Sequence, residues 1–335
     1  MFEELQNSPR LLLEQDLQPI QGSRFQPTGF PDLGAADFRR ADGKRMLLVE
    51  SAQSMANRLE KTCLKGDGPH IAEELTGLPY VVAKLSGAVE TETSSLVEAH
   101  RINSPWIISD NAFQAEFMKR SGCEKGKPIA WDKVAATLLH FDPSSLVHGL
   151  FLVSLDSRLR LPRALSGFIE ASEVVEVVSG GVKNDALDPT GKIIQAKKSV
   201  EKAVYGNVPY PRVEYTAGRI VAYFNLDLAL IRGYGLPQEA ERLVIALAMF
   251  KIKRFLSAGL RLRTACDLAA AGDIAVKAPA FSLPSEESLL EAVQSGIKAC
   301  AASELFAQPA VTTIQTVAVK PKAKSESSSA PVPSE

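Results

Sequence analysis

The chain has 335 residues, of which 45% are hydrophobic and 23% charged, and its formal net charge is −1. These values are typical of a folded globular protein and exclude an intrinsically disordered one. No apolar run approaches the roughly 20 residues of a membrane span, and the acidic N-terminus lacks a secretory signal, so we expect no membrane partner. The 4 cysteines have no C-x-x-C spacing, which predicts free thiols in a cytoplasmic protein.

The charge is unevenly distributed along the chain. Residues 150–265 hold 17 Lys or Arg and 11 Asp or Glu, so the remainder is net acidic. A basic half of a near-neutral protein can present a face that binds a polyanion. Ordinary charge fluctuation explains the same distribution equally well.

The N-terminal part is predicted to begin with a strand, a loop, a second strand and a helix. Arg10–Ile20 reads as the first strand, and Met46–Glu50 reads as a second strand or as the end of the loop. Ser51–Leu64 carries apolar residues at helical spacing on one face, which predicts an amphipathic helix. Tyr80–Leu85 is a short strand candidate, and residues of about 86–142 are predicted to form a helical insertion.

The central part is predicted to contain strands and a projecting arm. Leu146–Leu155 reads as a buried strand and Val174–Val178 as a further one. Residues of about 180–214 combine glycine and polar residues with a basic run, which is typical of a protruding hairpin or finger or thumb arm. Tyr215–Ile231 alternates in polarity and is the clearest strand.

The C-terminal part is predicted to end the folded region at about residue 315. Pro237–Ala258 reads as a helix with acids in its first turn, Gly259–Leu268 as a strand and Ser285–Ser303 as a helix. Residues 316–335 have the low-complexity composition of a disordered tail.

The order of these elements predicts an α+β fold, a ferredoxin-like or RRM-like βαββαβ palm that forms a single domain over residues 1–315. A doubly wound α/β fold is the main competitor, but it needs a regular alternation of strands and helices that this sequence lacks.

The loop after the first strand is the most unusual segment. Its sequence, GSRFQPTGFPDLG at Gly22–Gly34, is dense in glycine, proline and hydrogen-bonding side chains. Such a loop is costly to order and is usually either functional or disordered. Phe25 and Phe30 argue against disorder.

Four segments carry a resemblance to a known family: GSRFQPTGFPDLG at 22–34, LLVESAQSMANRLE at 47–60, HGLFLVSLDSRLRLPRALSGFIEA at 148–171 and GLRLRTACDLA at 259–269. With them the chain resembles the backbone subunit of the type I-G (formerly I-U) CRISPR effector, a Cas-seven protein of the RAMP superfamily. The resemblance extends over nearly the whole chain to about Leu305.

The resemblance implies a protein that binds guide RNA (crRNA) and assembles with further copies of itself into a helical filament. In that family the filament belongs to a Cascade complex with other subunits, and the guide pairs with the target DNA strand of an R-loop. This role implies no catalytic residue, no metal and no cofactor.

Alternating arginines are the best candidates for RNA contacts. Arg158 and Arg160, and likewise Arg261 and Arg263, are two residues apart, so in an extended segment each pair points to one side. The guanidinium fork suits phosphate, although either pair alone is more usually a solvated strand face. The predicted RNA-binding residues are Gln21, Gly22, Arg24, Phe25, Gln53, Asn57, Arg58, Arg158, Arg160, Arg163, Lys197, Lys198, Arg219, Lys253, Arg254, Arg261 and Arg263.

Some assignments in this set have a competing structural interpretation. Phe25 could equally be a loop anchor packed on the core, and the polar stripe of Gln53, Asn57 and Arg58 could be a plain solvent face. Lys253 and Arg254 end a helix whose dipole favours cations in any case.

An enzyme is the alternative. The sequence lacks the common nucleotide-binding, hydrolase and metalloprotease motifs, and its histidines have no ligand spacing. Some RAMP backbone subunits of type III effectors cut RNA with an aspartate after the first strand, which makes Asp32 a candidate endoribonuclease residue. A turn former after Pro31 is the favoured interpretation of Asp32.

Overall fold

The computed structural model describes residues 2–30, 32–124, 126–156, 158–190, 206–277 and 281–318. The helices are α1 (Ala52–Lys61), α2 (Pro105–Ile108), α3 (Asn111–Ser121), α4 (Trp131–Phe141), α5 (Pro143–His148), α6 (Leu228–Gly233), α7 (Gln238–Ser257) and α8 (Glu286–Ala302). The strands are β1 (Arg10–Pro19), β2 (Gly29–Phe30), β3 (Gly34–Ala35), β4 (Asp37–Arg39), β5 (Arg45–Glu50), β6 (Tyr80–Gly87), β7 (Thr91–Ser94), β8 (Leu150–Phe151), β9 (Arg160–Leu161), β10 (Leu165–Ser172), β11 (Val175–Lys183), β12 (Val208–Thr216), β13 (Arg219–Asp227), β14 (Leu260–Arg263), β15 (Cys266–Ala270), β16 (Ala275–Val276) and β17 (Val311–Ala318).

The chain divides into two compact units where the sequence predicted one domain. The first unit comprises residues 1–63 and 163–296, and the second comprises residues 64–162 and 297–335.

An antiparallel sheet organises the first unit. Its strands lie in the order β14-β15-β1-β13-β10-β5-β4, and β16 also pairs with β1. The register pairs Leu13 of β1 with Phe224 of β13, and Ile169 of β10 with Ala222 of β13. Residues on β1 alternate between buried and exposed or half-buried, as expected for a strand that covers a core with one face.

Two helices cover the apolar side of this sheet. On α1 the buried residues include Met55, Ala56 and Leu59, and on α7 almost every residue from Leu243 to Ile252 is buried. Gly167 permits close approach on β10, because a Cβ there would lie 3.2 Å from Met55 Cγ. Burying these apolar side chains is the main stabilising contribution to the unit.

The first unit also carries a two-stranded hairpin. Strands β11 and β12 pair from Val175–Thr216 to Lys183–Val208. Val178 is 77% exposed on this hairpin. The hairpin lies at the predicted arm, whose central residues 191–205 fall outside the described residues.

The described part of the second unit contains a three-stranded sheet, the paired strands β8 and β9, and helices α2 to α5. Its sheet has the order β17-β6-β7, in which β17 runs parallel to β6 and β7 antiparallel to it. Helices α2, α3 and α4 fall within the predicted helical insertion, 86–142, which also contains β7. Phe113, Phe117 and Phe141 pack together with ring centroids 5.1 to 6.3 Å apart.

The predicted strand at Leu146–Leu155 is wrong. The chain forms α5 there, followed by the two-residue strand β8. Asp142 caps α5 by accepting hydrogen bonds from Ser144 N at 3.0 Å and from Ser145 Oγ at 2.9 Å, and Pro143 occupies the first turn. An aspartate before proline is a helix-start signal, and it outweighs the apolar run that follows.

Three other boundaries differ from the sequence prediction. Tyr215–Ile231 is not one strand, because Gly218 begins a turn and the Asp227 side chain caps α6. Gly259–Leu268 is likewise two strands, β14 and β15. Strands β10 and β17 were not predicted, and β17 continues to Ala318, beyond the predicted start of the tail at residue 316.

The strands predicted at Arg10–Ile20, Met46–Glu50 and Tyr80–Leu85 are confirmed, with small shifts at their ends. The helices predicted at Pro237–Ala258 and Ser285–Ser303 are also confirmed. Within the described part of the chain, no helix combines the length and the apolar character needed to cross a membrane.

Candidate nucleic-acid interface

The loop after β1 is held in place by main-chain hydrogen bonds to several strands of the first unit. Phe25 N donates to Tyr215 O at 2.9 Å, Gln26 N donates to Ala265 O at 2.7 Å, and Thr28 N donates to Val49 O at 3.1 Å. These bonds satisfy backbone groups that a loop of this composition would otherwise leave to water. The first part of the loop is therefore a fixed element of the surface.

This loop forms one wall of a cavity of about 470 Å³. Its lining residues are Ile20, Gln21, Gly22, Ser23, Arg24, Glu214, Arg261, Thr264, Ala265 and Asp267. The cavity brings together four of the predicted RNA-binding residues, which are Gln21, Gly22, Arg24 and Arg261. We name it the loop cavity.

Two arginines of different electrostatic surroundings face the loop cavity. Arg24 Nη1 lies 3.2 Å from Glu214 Oε2, yet the Arg24 side chain is 54% exposed. Ser179 Oγ donates to the same carboxylate oxygen at 2.7 Å. Glu214 therefore orients Arg24 while leaving most of its guanidinium open to a ligand.

Arg261 is the less constrained of the two. It is exposed on β14, opposite Asp267 of β15, and it forms no ion pair with the residues that the structure describes. Gly22 has φ of +64° and open space where a Cβ would project, so its backbone is accessible at the mouth of the cavity. Two guanidiniums and an open glycine backbone can bind an anion such as a phosphate.

Phe25 is not placed to stack on a base. Its side chain is 1% exposed, and its backbone forms an antiparallel bridge with Tyr215, in which the N–H of each residue donates to the carbonyl of the other. The prediction that Phe25 contacts RNA is therefore corrected: the ring anchors the loop in the core, which was the alternative interpretation.

Arg58 and Arg263 point inward to a shared carboxylate. Arg58 Nε lies 2.7 Å from Glu50 Oε1, and Arg263 Nη2 lies 2.5 Å from Glu50 Oε2. Both Arg261 and Arg263 alternate with buried leucines on β14, and the pairing with β15 shifts register between them. They differ in their partners, because the Arg263 guanidinium is bonded to Glu50 and to Gln26 O.

The polar stripe on α1 is partly paired with Arg163. Gln53 Nε2 donates to Asn57 Oδ1 at 3.2 Å, and Arg163 donates to Gln53 Oε1 and to Ala52 O. These three predicted RNA-binding residues thus form one network at the start of α1.

Arg219 and Arg254 are held by carboxylates elsewhere in the first unit. Arg219 Nε lies 2.8 Å from Asp16 Oδ1, and this hydrogen bond raises the pKa of Arg219. Arg254 Nε lies 2.9 Å from Glu286 Oε1. Lys253 is half-buried on α7. None of these three cations lines the loop cavity.

Arg158 and Arg160 belong to the second unit and do not form a matched pair. The Arg158 guanidinium is held by other residues of the unit, because Nη2 lies 2.6 Å from Asp156 Oδ2 and Nη1 donates to Lys127 O at 2.7 Å. The Arg160 guanidinium lies 4.2 Å from the centroid of the Phe151 ring, which is 39% exposed. Lys197 and Lys198 lie outside the described residues.

Sequence reasoning missed the carboxylates of this surface. Glu50 and Glu214 organise Arg24, Arg58 and Arg263, but they lie on strands whose pairing depends on long-range contacts. The signal available in the sequence was the unusual glutamate that ends the apolar run Met46–Val49.

A second cavity, of about 790 Å³, follows the rest of the loop. It is lined by residues 26–30, 33–35 and 37 together with Glu176, residues 210–213, Tyr215 and Arg263. Phe30 is 72% exposed and Leu33 is 82% exposed at this site. The unusual loop therefore contributes to two neighbouring openings of the first unit.

The described residues contain no group of three or more His, Cys, Asp or Glu side chains arranged to hold a metal ion. Asp32 is exposed in a turn between β2 and β3. Asp37 is ion-paired with Arg45 at 2.9 Å.

Comparison with known proteins gives one sequence match and distant structural similarities. Residues 11–176 match the model of a family described as CRISPR-associated protein GSU0053. No curated protein matches the chain.

A solved chain titled "CRISPR RNA-guided surveillance complex, pre-nicking" is similar at 16% identity and a TM-score of 0.40, covering 78% of this chain and 76% of that one. Another, titled "CRISPR RNA-guided surveillance complex", has 14% identity and a TM-score of 0.36, covering 85% and 80%. At these TM-scores the two similarities carry no argument about fold or function. The part of the chain that is similar to the CRISPR-associated GSU0053 family, residues 11–176, includes β1, the loop after it and α1.

Proposed function

We propose that this protein is the guide-RNA-binding backbone subunit of a type I-G CRISPR effector. In this role several copies polymerise along crRNA with other Cascade subunits and present the guide for pairing with the target DNA strand. The observation that carries the proposal is the loop cavity, where Arg24 and the open backbone of Gly22, both within the matched residues 11–176, meet Arg261 of β14.

The strand order supports a ferredoxin-like palm. The succession β1, α1, β10, β13, α7, β15 has the form βαββαβ, and the sheet order β15-β1-β13-β10 is that of a split βαβ unit. Neighbouring strands in this group are antiparallel, as that topology requires. We infer that the loop cavity lies at one end of the palm, where β1 leaves the sheet.

The role requires no catalytic step by this chain. Base pairing would read the target sequence, while the protein would hold the RNA through its phosphates, so we propose that the chain is not an enzyme and acts in the cytoplasm. The second candidate is an endoribonuclease that uses Asp32. Its support is the position of Asp32 after the first strand, in a turn where the side chain is exposed. Among the described residues, no group of three or more His, Cys, Asp or Glu side chains is placed to hold a metal ion.

The decisive experiment is to isolate the recombinant protein from cells that express a matching guide RNA. Absorbance at 260 and 280 nm and the mass of the particle before and after nuclease digestion report RNA content and copy number. We expect several copies of the protein on one RNA. Nuclease should cut only the exposed RNA segments, so most of the protein should remain bound to RNA after digestion. A monomer free of RNA under these conditions would overturn the proposal.

A further inference from the structure

Glu50 is a buried carboxylate at the junction of three elements. Its side chain is 1% exposed at the end of β5. Ser54 Oγ and Arg58 Nε donate to Oε1, and Arg263 Nη2 donates to Oε2. A buried carboxylate is retained only when donors replace its lost hydration, and here two guanidiniums and a hydroxyl do so.

The two arginines that bind Glu50 also donate hydrogen bonds to backbone carbonyls. Arg58 Nη2 donates to Leu262 O at 2.5 Å, on β14 beside Arg261. Arg263 Nη1 donates to Gln26 O at 2.8 Å, two residues after Arg24. Glu50 is therefore linked through Arg58 to the residue after Arg261, and through Arg263 to the loop two residues after Arg24.

The Gln26 carbonyl is the point at which this network reaches the loop. Gln26 also donates its own N–H to Ala265 O, so the peptide units around Gln26 are held from both sides. Removing the charge of Glu50 would free Arg263 to turn toward solvent and would release Gln26 O. The loop would then lose a restraint close to Arg24 while keeping every residue that faces the cavity.

We propose that Glu50 is the positioning residue of the RNA interface, acting through Arg263 on the Gln26 carbonyl and through Arg58 on β14. This inference rests on the proposed function, since it concerns how the same cavity is held. Arg58 and Arg263 are internal braces in this account, and Arg24 and Arg261 are the cations that meet phosphate. Glu50 itself does not touch RNA.

The test measures binding of a labelled single-stranded RNA by the full chain over a range of salt concentrations. Glu50→Gln keeps the shape of the side chain and one acceptor oxygen but removes the charge. We expect affinity to fall about tenfold with the salt dependence unchanged, because the phosphate contacts remain but the loop is less well positioned. All measurements are made at a temperature below the unfolding transition of each variant. The fraction of protein that can bind is first measured by titrating it with RNA at stoichiometric concentration, and the affinity is calculated for that fraction only.

Arg263→Lys is the second variant, because lysine keeps the charge but cannot donate to Glu50 and Gln26 O in the same geometry. We expect the same loss as in Glu50→Gln, and a double variant no weaker than either single one, as for residues acting as one unit. Asp227→Asn is the control: it removes a carboxylate charge that pairs with Arg10 at 3.0 Å elsewhere in the first unit. It should leave RNA binding unchanged.

Three outcomes overturn the inference. Unchanged affinity of active Glu50→Gln would show that the residue supports stability alone. Tighter binding with a steeper salt dependence would show that Arg58 and Arg263 are phosphate ligands held back by Glu50. Near-normal binding by Arg263→Lys would show that any cation suffices there. If the wild-type chain binds no RNA, it is the proposed function that fails, so the two failures are distinguishable.

Discussion

Phe25 and Tyr215 exchange two main-chain hydrogen bonds, each 2.9 Å from N to O, although they lie 190 positions apart in the sequence. This bridge joins the loop after β1 to strand β12 of the hairpin. The side chains of both residues are buried, at 1% and 5% exposure. The loop is thus tied to the hairpin through its backbone and to the core through its phenyl ring.

Replacing Phe25 should therefore reduce stability more than it reduces RNA contact. We expect Phe25→Ala to cost about 3–5 kcal/mol of unfolding free energy, which is usual for a buried phenylalanine, and Phe25→Leu to cost less. Chemical denaturation monitored by circular dichroism measures both. A Phe25→Ala variant of wild-type stability with weakened RNA binding would restore the base-stacking role.

Strand β17 predicts where the chain can be shortened. It pairs with β6 at eight positions from Val311–Tyr80 to Ala318–Gly87, and Ile314 is 7% exposed. A stop after Ala318 should leave the melting temperature unchanged, because it keeps the whole of β17 and removes residues that are mostly Ser, Pro, Lys and Glu.

A stop after Ala310 should lower the melting temperature because it removes β17, and burial of an isoleucine such as Ile314 alone contributes about 1.5–3 kcal/mol. Differential scanning fluorimetry of the two truncated chains provides the comparison. A large loss of stability on removal of residues 319–335 alone would contradict this prediction.

Arg158 and Arg160 should behave differently in RNA binding. The donors of Arg158 are occupied by Asp156 and by the carbonyls of Glu124 and Lys127, whereas Arg160 presents its guanidinium on the exposed Phe151 ring. Arg160→Ala should flatten the slope of log K against log salt by about 0.7, the contribution of one phosphate contact on a single strand. Arg158→Ala should leave the slope unchanged and lower the melting temperature. Equal slopes for wild type and Arg160→Ala would exclude Arg160 as a phosphate ligand.

Asp32 should be dispensable. We expect the purified protein to leave labelled RNA intact with or without Mg²⁺, and Asp32→Ala to bind RNA as the wild type does. Gel analysis over several hours, with a known ribonuclease as a positive control, measures cleavage. Mg²⁺-dependent products that disappear in Asp32→Ala would favour the endoribonuclease.

Local patterns in the sequence were sufficient to predict several elements of the first unit. Strand β1 was predictable because its alternation agrees with its burial, and helix α7 because Pro237 precedes it and Glu239 and Glu241 lie in its first turn. Leu146–Leu155 was not, because a short apolar run suits a strand and a buried helix equally, and the capping signal at Asp142 decides the outcome.

The site could be predicted only in part. The loop composition and the arginine spacing identified Arg24 and Arg261, which line one cavity. The same spacing did not reveal the buried partner of Arg263, because Glu50 lies 213 positions away in the sequence. Such long-range pairing leaves no local pattern in a single sequence.

The central claim is that Arg24 and Arg261 hold guide-RNA phosphates in the loop cavity. Its most direct test is the salt dependence of RNA binding by wild type and by Arg24→Ala/Arg261→Ala, measured by fluorescence anisotropy with single-stranded RNAs of two unrelated sequences. Losing two phosphate contacts should flatten the log–log slope by about 1.4 and weaken binding of both RNAs equally. A slope identical to that of the wild type would contradict the claim, and these arginines would then face a partner other than RNA.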